Sequence, residues 1–180
     1  AGLTLGAGCE IALHGDCVQA AAETYMGQVE VGVGLLPAGG GIKELLARTV
    51  DRRPQNVKDP LPFVRQVFEL VGFAKVSTSG SDARHLGLLR DVDGITMNRE
   101  RLLADAKTRA LELVRAGYQP PHPRKILVDG DNVRAGLELG LHVAWRGGRI
   151  SDHDSLIGRK LARILSGGDL PHQTSVSEQY

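Results

Sequence analysis

Two glutamates set in glycine-rich runs are the residues of this sequence best suited to chemistry. Glu10 ends the run 6–10 (GAGCE), and Glu30 ends the run 27–30 (GQVE). Glycine lets backbone N–H groups approach a ligand closely, because it has no Cβ. A pair of carboxyl groups beside such N–H groups could move protons next to a polarised carbonyl. The spacing therefore predicts acid–base chemistry, provided that the intervening segments bring the two carboxyl groups together.

The segments around the glutamates could bring these groups together. Residues 1–5 have the pattern of a strand's end, and residues 8–14 that of a short helix entered from it. Residues 17–23 are small and predict a strand, and the partly alternating, β-branched run 29–36 predicts a strand or extended segment. A proline- and glycine-rich turn follows at 37–41. A helix and a strand between the two glutamates would leave room for the chain to return.

The rest of the sequence is predicted to be mostly helical. Helices are predicted over 42–50, 62–72, 99–116, 132–146 and 151–166, with a short helix capped at Ser81 and a brief strand over 95–97. Ser151 and Asp154 form a capping-box pattern for the last helix, which the glycines at 167 and 168 would end. We expect two parts, 1–98 with a polar linker at 51–62, and a helical region over 99–180. Neither end of the sequence looks like a natural start or stop, so we expect a segment of a longer chain.

Composition argues against several classes of function. The chain has 180 residues, a formal net charge of +1 and 4% aromatic residues, so neither a basic patch nor stacking platforms favour nucleic-acid binding. Apolar runs fall short of the roughly 20 residues that span a bilayer, so we expect no stable membrane insertion. Cys9 and Cys17 form no CxxC motif, and the six histidines have no ligand spacing. We therefore expect a cytoplasmic protein without a metal site.

Nucleotide motifs are incomplete in this sequence. The run 6–11 lacks the third glycine of the dinucleotide-binding fingerprint, and the P-loop pattern is missing from the sequence. The run 129–134 (DGDNVR) begins like a calcium loop but has arginine where that loop needs glycine. We expect no cofactor in this segment.

The order of motifs over residues 6–41 resembles the signature of the crotonase (enoyl-CoA hydratase/isomerase) superfamily. The resemblance rests on the runs 6–10, 27–30 and 36–41 (LPAGGG) and on Asp16 between them. Residues 79–88 are similar, more loosely, to a later element of that family. Residues 118–180 resemble the hydratase part of multifunctional β-oxidation proteins, in which a 3-hydroxyacyl-CoA dehydrogenase shares the chain. NAD is expected only for such a dehydrogenase part, outside these residues.

The resemblance implies a fold and a reaction. The fold would be α/β, a partial ββα spiral followed by a mostly helical region used in oligomer packing. The reaction would be the hydration of a 2-enoyl-CoA thioester to 3-hydroxyacyl-CoA, a lyase step of fatty-acid β-oxidation. Glu10 would activate the water, Glu30 would protonate the α-carbon, and the Ala7 amide would be one oxyanion-hole donor. By the same resemblance, the substrate-binding residues would be Gly6, Gly8, Gly27, Pro37 and Gly39.

Three alternatives stay open from the sequence. The family also contains acyl-CoA isomerases, which commonly keep only one of the two glutamates. The amphipathic helices over 99–166 could instead make the segment a non-catalytic oligomerisation module, and a homo-oligomer is expected in either case. A nicotinamide dehydrogenase within these residues is disfavoured by the broken fingerprint. The family's second oxyanion donor lies in an amino-terminal half that these residues do not contain, so the segment alone is expected to be poorly active.

Overall fold

Short strands and longer helices make up the computed structural model, which describes residues 2–54 and 56–180. The strands are β1 (Leu3–Leu5), β2 (Gln19–Ala21), β3 (Tyr25–Gly27), β4 (Gly94–Thr96), β5 (Lys125–Val128) and β6 (Thr174–Ser177). The α-helices are α1 (Ala7–Leu13), α2 (Gly41–Asp51), α3 (Leu61–Gly72), α4 (Gly80–His85), α5 (Leu102–Arg115), α6 (Asp131–Arg146) and α7 (Asp152–Leu165). Two 3-10 helices cover Glu30–Val33 and Arg99–Arg101. The predicted α/β class is confirmed.

The strands pair in twos. β1 lies parallel to β3 and β2 parallel to β4, whereas β5 and β6 are antiparallel. Parallel neighbours need a crossover, and α1 lies in the connection between β1 and β3. The β2–β4 pair is reinforced by Asp93, whose carboxylate accepts the Val18 amide at 2.9 Å. These pairs set the start and the end of α1, the helix that carries Glu10.

The apolar core lies mainly between the helices. Leu45 of α2, Val71 of α3 and Leu161 of α7 are buried together in one continuous cluster. Strands β2 and β3 contribute Ala20 and Met26 to the same cluster. The apolar faces of α2, α3 and α7 are therefore the faces that pack.

A buried arginine holds the end of α1. Arg48 of α2 donates from one terminal nitrogen to the Leu13 carbonyl and from the other to the Leu88 carbonyl, at 3.1 Å for the latter. Burial, followed by the nearby charge of Arg90, lowers the pKa of Arg48 to about 10. One side chain thus joins α1 to the segment after α4.

Two local predictions are wrong, each for a physical reason, and the mostly helical region holds one feature that was not predicted. The run 29–36 is a 3-10 helix followed by a turn, because Gly34 adopts a left-handed φ of 77° that ends any strand. Helix α4 is capped by Ser79, whose hydroxyl accepts the Asp82 amide, rather than by Ser81. The helical region also contains a sheet, β5 with β6, formed by two short segments far apart in sequence.

Other local predictions are confirmed. Ser151 caps α7 in a capping box with Asp154, and Gly167 and Gly168 both have positive φ at its end. The linker predicted at 51–62 lies between α2 and α3, except that Gln55 lies outside the described residues, as does Ala1 of the predicted strand end. Helices α6 and α7 pack on α3, and α7 also packs on α2. Within 2–54 and 56–180, every helix is too short or too polar to cross a bilayer.

Candidate functional site

The carboxylate of Glu10 is buried and held by backbone amides. Its side chain lies on α1 with only 6% of its surface exposed. The Gly39 amide donates to both carboxylate oxygens at 2.9 Å, and the Gly41 amide donates to Oε1 at 3.0 Å. Donors to a charged acceptor form the stronger class of hydrogen bond. The glycine-rich turn before α2 therefore fixes the direction in which Glu10 points.

Glycine is required at both of these positions. A Cβ at Gly39 would lie 2.3 Å from Glu10 Oε2, and one at Gly41 would lie 1.9 Å from the Gln28 amide nitrogen. Gln28 is buried, and its amide nitrogen donates to Glu10 Oε1 at 3.3 Å. The three donors leave no space for a side chain between the turn and the carboxylate.

Glu30 reaches the same region from the other side of the chain. It is the first residue of its 3-10 helix, directly after β3. Its Oε1 lies 3.4 Å from the position a Cβ would take on Gly6, the residue before α1. Its Oε2 is buried and, among the described residues, has no hydrogen-bond partner. An orphaned buried oxygen is costly, so this atom is suited to meeting a group that the protein itself does not supply.

The thiol of Cys9 is fully buried on α1, the helix that carries Glu10. Burial, then the charge of Glu30 and then the charge of Glu10, raises the pKa of Cys9 from 9.0 to about 12. Both carboxylates therefore disfavour the thiolate of this residue, which stays protonated.

An open cavity of about 360 Å³ lies in front of Glu10. It is lined by Ala7, Glu10, Ile11, His14 and Gly39. Ala7 is the first residue of α1, where amides have no partner within the helix. Glu30 is not among the residues that line this cavity, and its Oε1 lies instead beside Gly6. The cavity thus combines a fixed carboxylate with the amino end of a helix.

The remaining predicted substrate-binding residues are distributed differently. A Cβ on Gly8 would meet only open space, whereas one on Gly27 would lie 2.4 Å from the Lys75 carbonyl oxygen. Gly27 therefore packs against the backbone after α3, and its carbonyl accepts the Gly6 amide at 2.9 Å. Pro37 is buried in the segment before α2. Of the predicted residues, Ala7, Glu10 and Gly39 share the cavity.

Sequence reasoning missed three residues of this site. Gln28 and Gly41 both bind Glu10, and the ring of His14 lies on the cavity with its Nδ1 2.8 Å from the Glu10 carbonyl oxygen. Gln28 and Gly41 stand inside the two motifs already singled out, so the motifs were the available signal. His14 had a usable signal as well, since it lies four residues after Glu10 on the same helix.

The arrangement suits the addition or removal of a proton beside a carbonyl. A fixed carboxylate can accept a proton from water or from carbon, and the second carboxyl group can return one. Amides at the start of a helix favour negative charge that develops on oxygen. Among the described residues, no group of three metal-ligating side chains is present.

The curated proteins to which this chain is similar are named as acyl-CoA enzymes. No family model matches the chain. A "Probable 3-hydroxyacyl-CoA dehydrogenase" of Bacillus subtilis (strain 168) is 42% identical over 179 residues, which are 99% of this chain and 22% of that protein. A mitochondrial methylglutaconyl-CoA hydratase of Mus musculus is 33% identical over 141 residues, which are 78% of this chain and 38% of that protein. The chain thus spans well under half the length of these curated relatives.

Solved structures give a similar list of names. A carnitinyl-CoA dehydratase of Mycobacterium avium 104 has a TM-score of 0.49 and 22% identity, over 90% of this chain and 53% of that one. An enoyl-CoA hydratase of Mycobacterium tuberculosis H37Rv has a TM-score of 0.48 and 21% identity, over 89% of this chain and 51% of that one. The motifs over 6–41, the α/β fold and the names of the curated relatives are consistent with the resemblance of this chain to the crotonase superfamily.

Proposed function

We propose that the protein hydrates a 2-enoyl-CoA thioester to the 3-hydroxyacyl-CoA, with Glu10 and Glu30 as its two proton-handling groups. The observation that carries this proposal is a pair of carboxylate groups with different surroundings. Glu10 is fixed by three donors, whereas Glu30 lies beside Gly6 and has a buried oxygen without a partner among the described residues. An isomerase needs only one such group to move a proton between two carbons. Two carboxyl groups suit the addition of both parts of a water molecule.

The proposed reaction adds water across the carbon–carbon double bond of the thioester. A water oxygen forms a bond to the β-carbon while the Glu10 carboxylate takes one of its protons. The electron pair of the carbon–carbon double bond moves to the thioester oxygen, and the Ala7 amide would donate to that oxygen in the resulting enolate. Protonated Glu30 then delivers its proton to the α-carbon. Proton exchange with solvent restores both carboxyl groups for the next turnover.

The relatives support the acyl-CoA part of the proposal more directly than the reaction. One is named as a hydratase and another as a dehydrogenase, and both are longer than this chain. A role in fatty-acid β-oxidation therefore rests on the resemblance. A cytoplasmic location and the lack of a resident cofactor likewise stay predictions.

The test replaces each glutamate by glutamine in the full-length protein. Hydration of crotonyl-CoA is followed by the loss of absorbance of its conjugated thioester. Both E10Q and E30Q are expected to lower kcat by about 100-fold or more, the usual contribution of a general acid or base. The matched control is E23Q, which changes an exposed glutamate of the β2–β3 turn. Full activity in both site variants would remove the proposal.

A further inference from the structure

A histidine of the helical region contacts the segment that carries Glu30. His153, in the first turn of α7, has its Nε2 2.9 Å from the Gly34 carbonyl oxygen. A carbonyl oxygen can only accept, so the Nε2–H must donate, and this bond fixes the tautomer of the ring. The two residues are 119 positions apart in sequence. The bond therefore joins α7 to the end of the Glu30–Val33 helix.

Gly34 is the residue that ends the Glu30 helix. Its amide donates to the Val31 carbonyl at 3.0 Å, and the next amide, of Leu35, donates to the Glu30 carbonyl at 3.0 Å. Its left-handed φ of 77° favours glycine, and a Cβ there would lie 3.3 Å from His153 Nε2. The imidazole of His153 thus binds Gly34, the residue at which the Glu30 helix ends.

The first turn of α7, which carries His153, is itself held in place. Ser151 and Asp154 form both hydrogen bonds of a capping box, at 3.0 and 3.1 Å. Asp152 accepts the indole N–H of Trp145 at 2.6 Å, which ties the start of α7 to α6. Both residues that flank His153 are therefore held. A side chain presented from a locked helix turn can restrain what it binds.

A second contact restrains the same segment. The side chain of Val31, next to Glu30, is partly buried against the core. It lines a cavity of about 340 Å³ between α3, α6 and α7, together with Phe68 and Leu161. The Glu30 helix is therefore held near its start by the packing of Val31 on the core and at its end by the hydrogen bond from His153 of α7.

We propose that His153 is a positioning residue for Glu30, which holds the end of the Glu30 helix so that the carboxyl group stays beside Gly6. The inference rests on the proposed function in so far as Glu30 delivers a proton. Displacement of a catalytic group by about 1 Å can lower the rate by up to 100-fold. Loss of this single hydrogen bond is therefore expected to lower turnover. Substrate binding involves other residues, so it should change little when His153 is replaced.

The kinetic test uses three variants of the full-length protein. H153L removes the donor and is expected to lower kcat for crotonyl-CoA hydration by about tenfold with KM within about twofold. H153Q keeps an N–H donor of similar reach and is expected to retain most of kcat. H122L is the matched control, since His122 is an exposed histidine of the segment between α5 and β5. Equal kcat in H153L and the wild type, or equal loss in H153L and H153Q, would overturn the role.

A second readout does not depend on the reaction. Hydrogen–deuterium exchange of the peptide that covers residues 30–35 is compared in wild type, H153L and H153Q, with thermal melting as a check on folding. Faster exchange is expected in H153L alone, because the Leu35 amide bond to the Glu30 carbonyl loses its support. Unchanged exchange in a folded H153L would refute the anchor itself. Altered exchange in a protein that does not hydrate enoyl-CoA would refute the proposed function and keep the anchor.

Discussion

At the scale of single residues, the site depends on the lack of a side chain at Gly39. A Cβ there would lie 2.3 Å from Glu10 Oε2, so the carboxylate and the turn cannot both keep their places in G39A. We expect kcat of the full-length protein to fall by up to about 100-fold, as for other misplaced catalytic groups. Steady-state hydration assays measure this loss.

The control for G39A is a glycine with free space. G140A adds a Cβ in α6 that meets nothing within 4 Å. Alanine in a helix interior is about 0.5–1 kcal/mol more favourable than glycine, so G140A is expected to raise the unfolding free energy slightly. Wild-type turnover in G39A would mean that the Gly39 amide does not position Glu10.

Cys9 gives a second prediction at this scale. Its thiol is fully buried with a pKa raised to about 12, whereas Cys17 is partly exposed. The thiolate is the reactive form, so Ellman's reagent at pH 8 should label one thiol quickly and the second only after unfolding. C17S should abolish the fast reaction. Two fast equivalents in the native protein would contradict the burial of Cys9.

The same thiol makes stability depend on alkaline pH. The folded pKa of Cys9 is raised above its ordinary value of 9.0, so the unfolded chain loses this proton first as the pH rises. Its contribution is fully present below about pH 9 and is lost as the pH approaches 12. Urea unfolding at pH 8 and pH 10 should show a decrease that is smaller in C9A.

At the scale of elements, Arg48 is the residue that joins α1 and α2. R48M would leave the Leu13 and Leu88 carbonyls without this donor in a buried region. Each unpaired buried group costs about 1–3 kcal/mol, so the unfolding free energy should fall by about 3 kcal/mol. The control R159M changes an exposed arginine of α7 and should lie within about 0.5 kcal/mol of wild type. Equal stabilities of R48M and R159M would show that the bonds contribute nothing.

The capping box at α7 gives a milder prediction. S151A removes the hydroxyl that accepts the Asp154 amide, and loss of an N-cap typically costs about 1 kcal/mol. Hydrogen bonds from the Ser151 amide, then from its hydroxyl, lower the pKa of Asp154 below its usual 3.8. This contribution is therefore present at neutral pH and is lost as the pH falls through the folded pKa. Urea titrations of S151A and the exposed control T108A distinguish the cap from a general loss of a hydroxyl.

Elements with local signals were predictable from the sequence, and those set by distant contacts were not. The amphipathic pattern of α2 and the caps of α7 lie within a few residues of their elements, and both predictions are confirmed. Strands β5 and β6 are four residues each and exist because Ile126 and Val176 meet across the fold. The alternating run 29–36 imitated a strand, because side-chain type alone does not reveal the left-handed backbone at Gly34.

In the candidate site, too, features with a local sequence signal were predictable and features set by distant contacts were not. The glycine turn beside Glu10 was predictable, because close backbone approach restricts the residue type, whereas the catalytic roles of Glu10 and Glu30 stay predictions. The hydrogen bond of His153 was not, since its partner is a backbone carbonyl and leaves no mark on the sequence. Which residues touch substrate stays a prediction for Ala7, Gly6, Gly8, Gly27 and Pro37.

At the scale of the whole molecule, α5 carries the clearest sign of an outside partner. Leu103 is 82% exposed and Val114 is 71% exposed, on the helix predicted to pack between subunits. Both residues belong to the apolar stripe identified from the sequence. Homo-oligomerisation stays a prediction, which light scattering on the full-length protein tests. If α5 is the interface, L103K/V114K should lower the molar mass. The exposed-surface control K107E/E112K should leave the molar mass unchanged. A monomeric wild type would contradict homo-oligomerisation.

The pairing of β2 with β4 has a consequence for synthesis of the chain. The Val18 amide can form its hydrogen bond only after Asp93, 75 residues further along the chain, has been made. In the same way, β2 can pair only after β4, the strand that follows Asp93, has been made. A ribosome must therefore release β2 long before β4, with which it pairs, has been made. Until then β2 has an open edge, which is a template for pairing with other chains. We expect chaperone dependence of the nascent protein to be greatest while this first half is exposed.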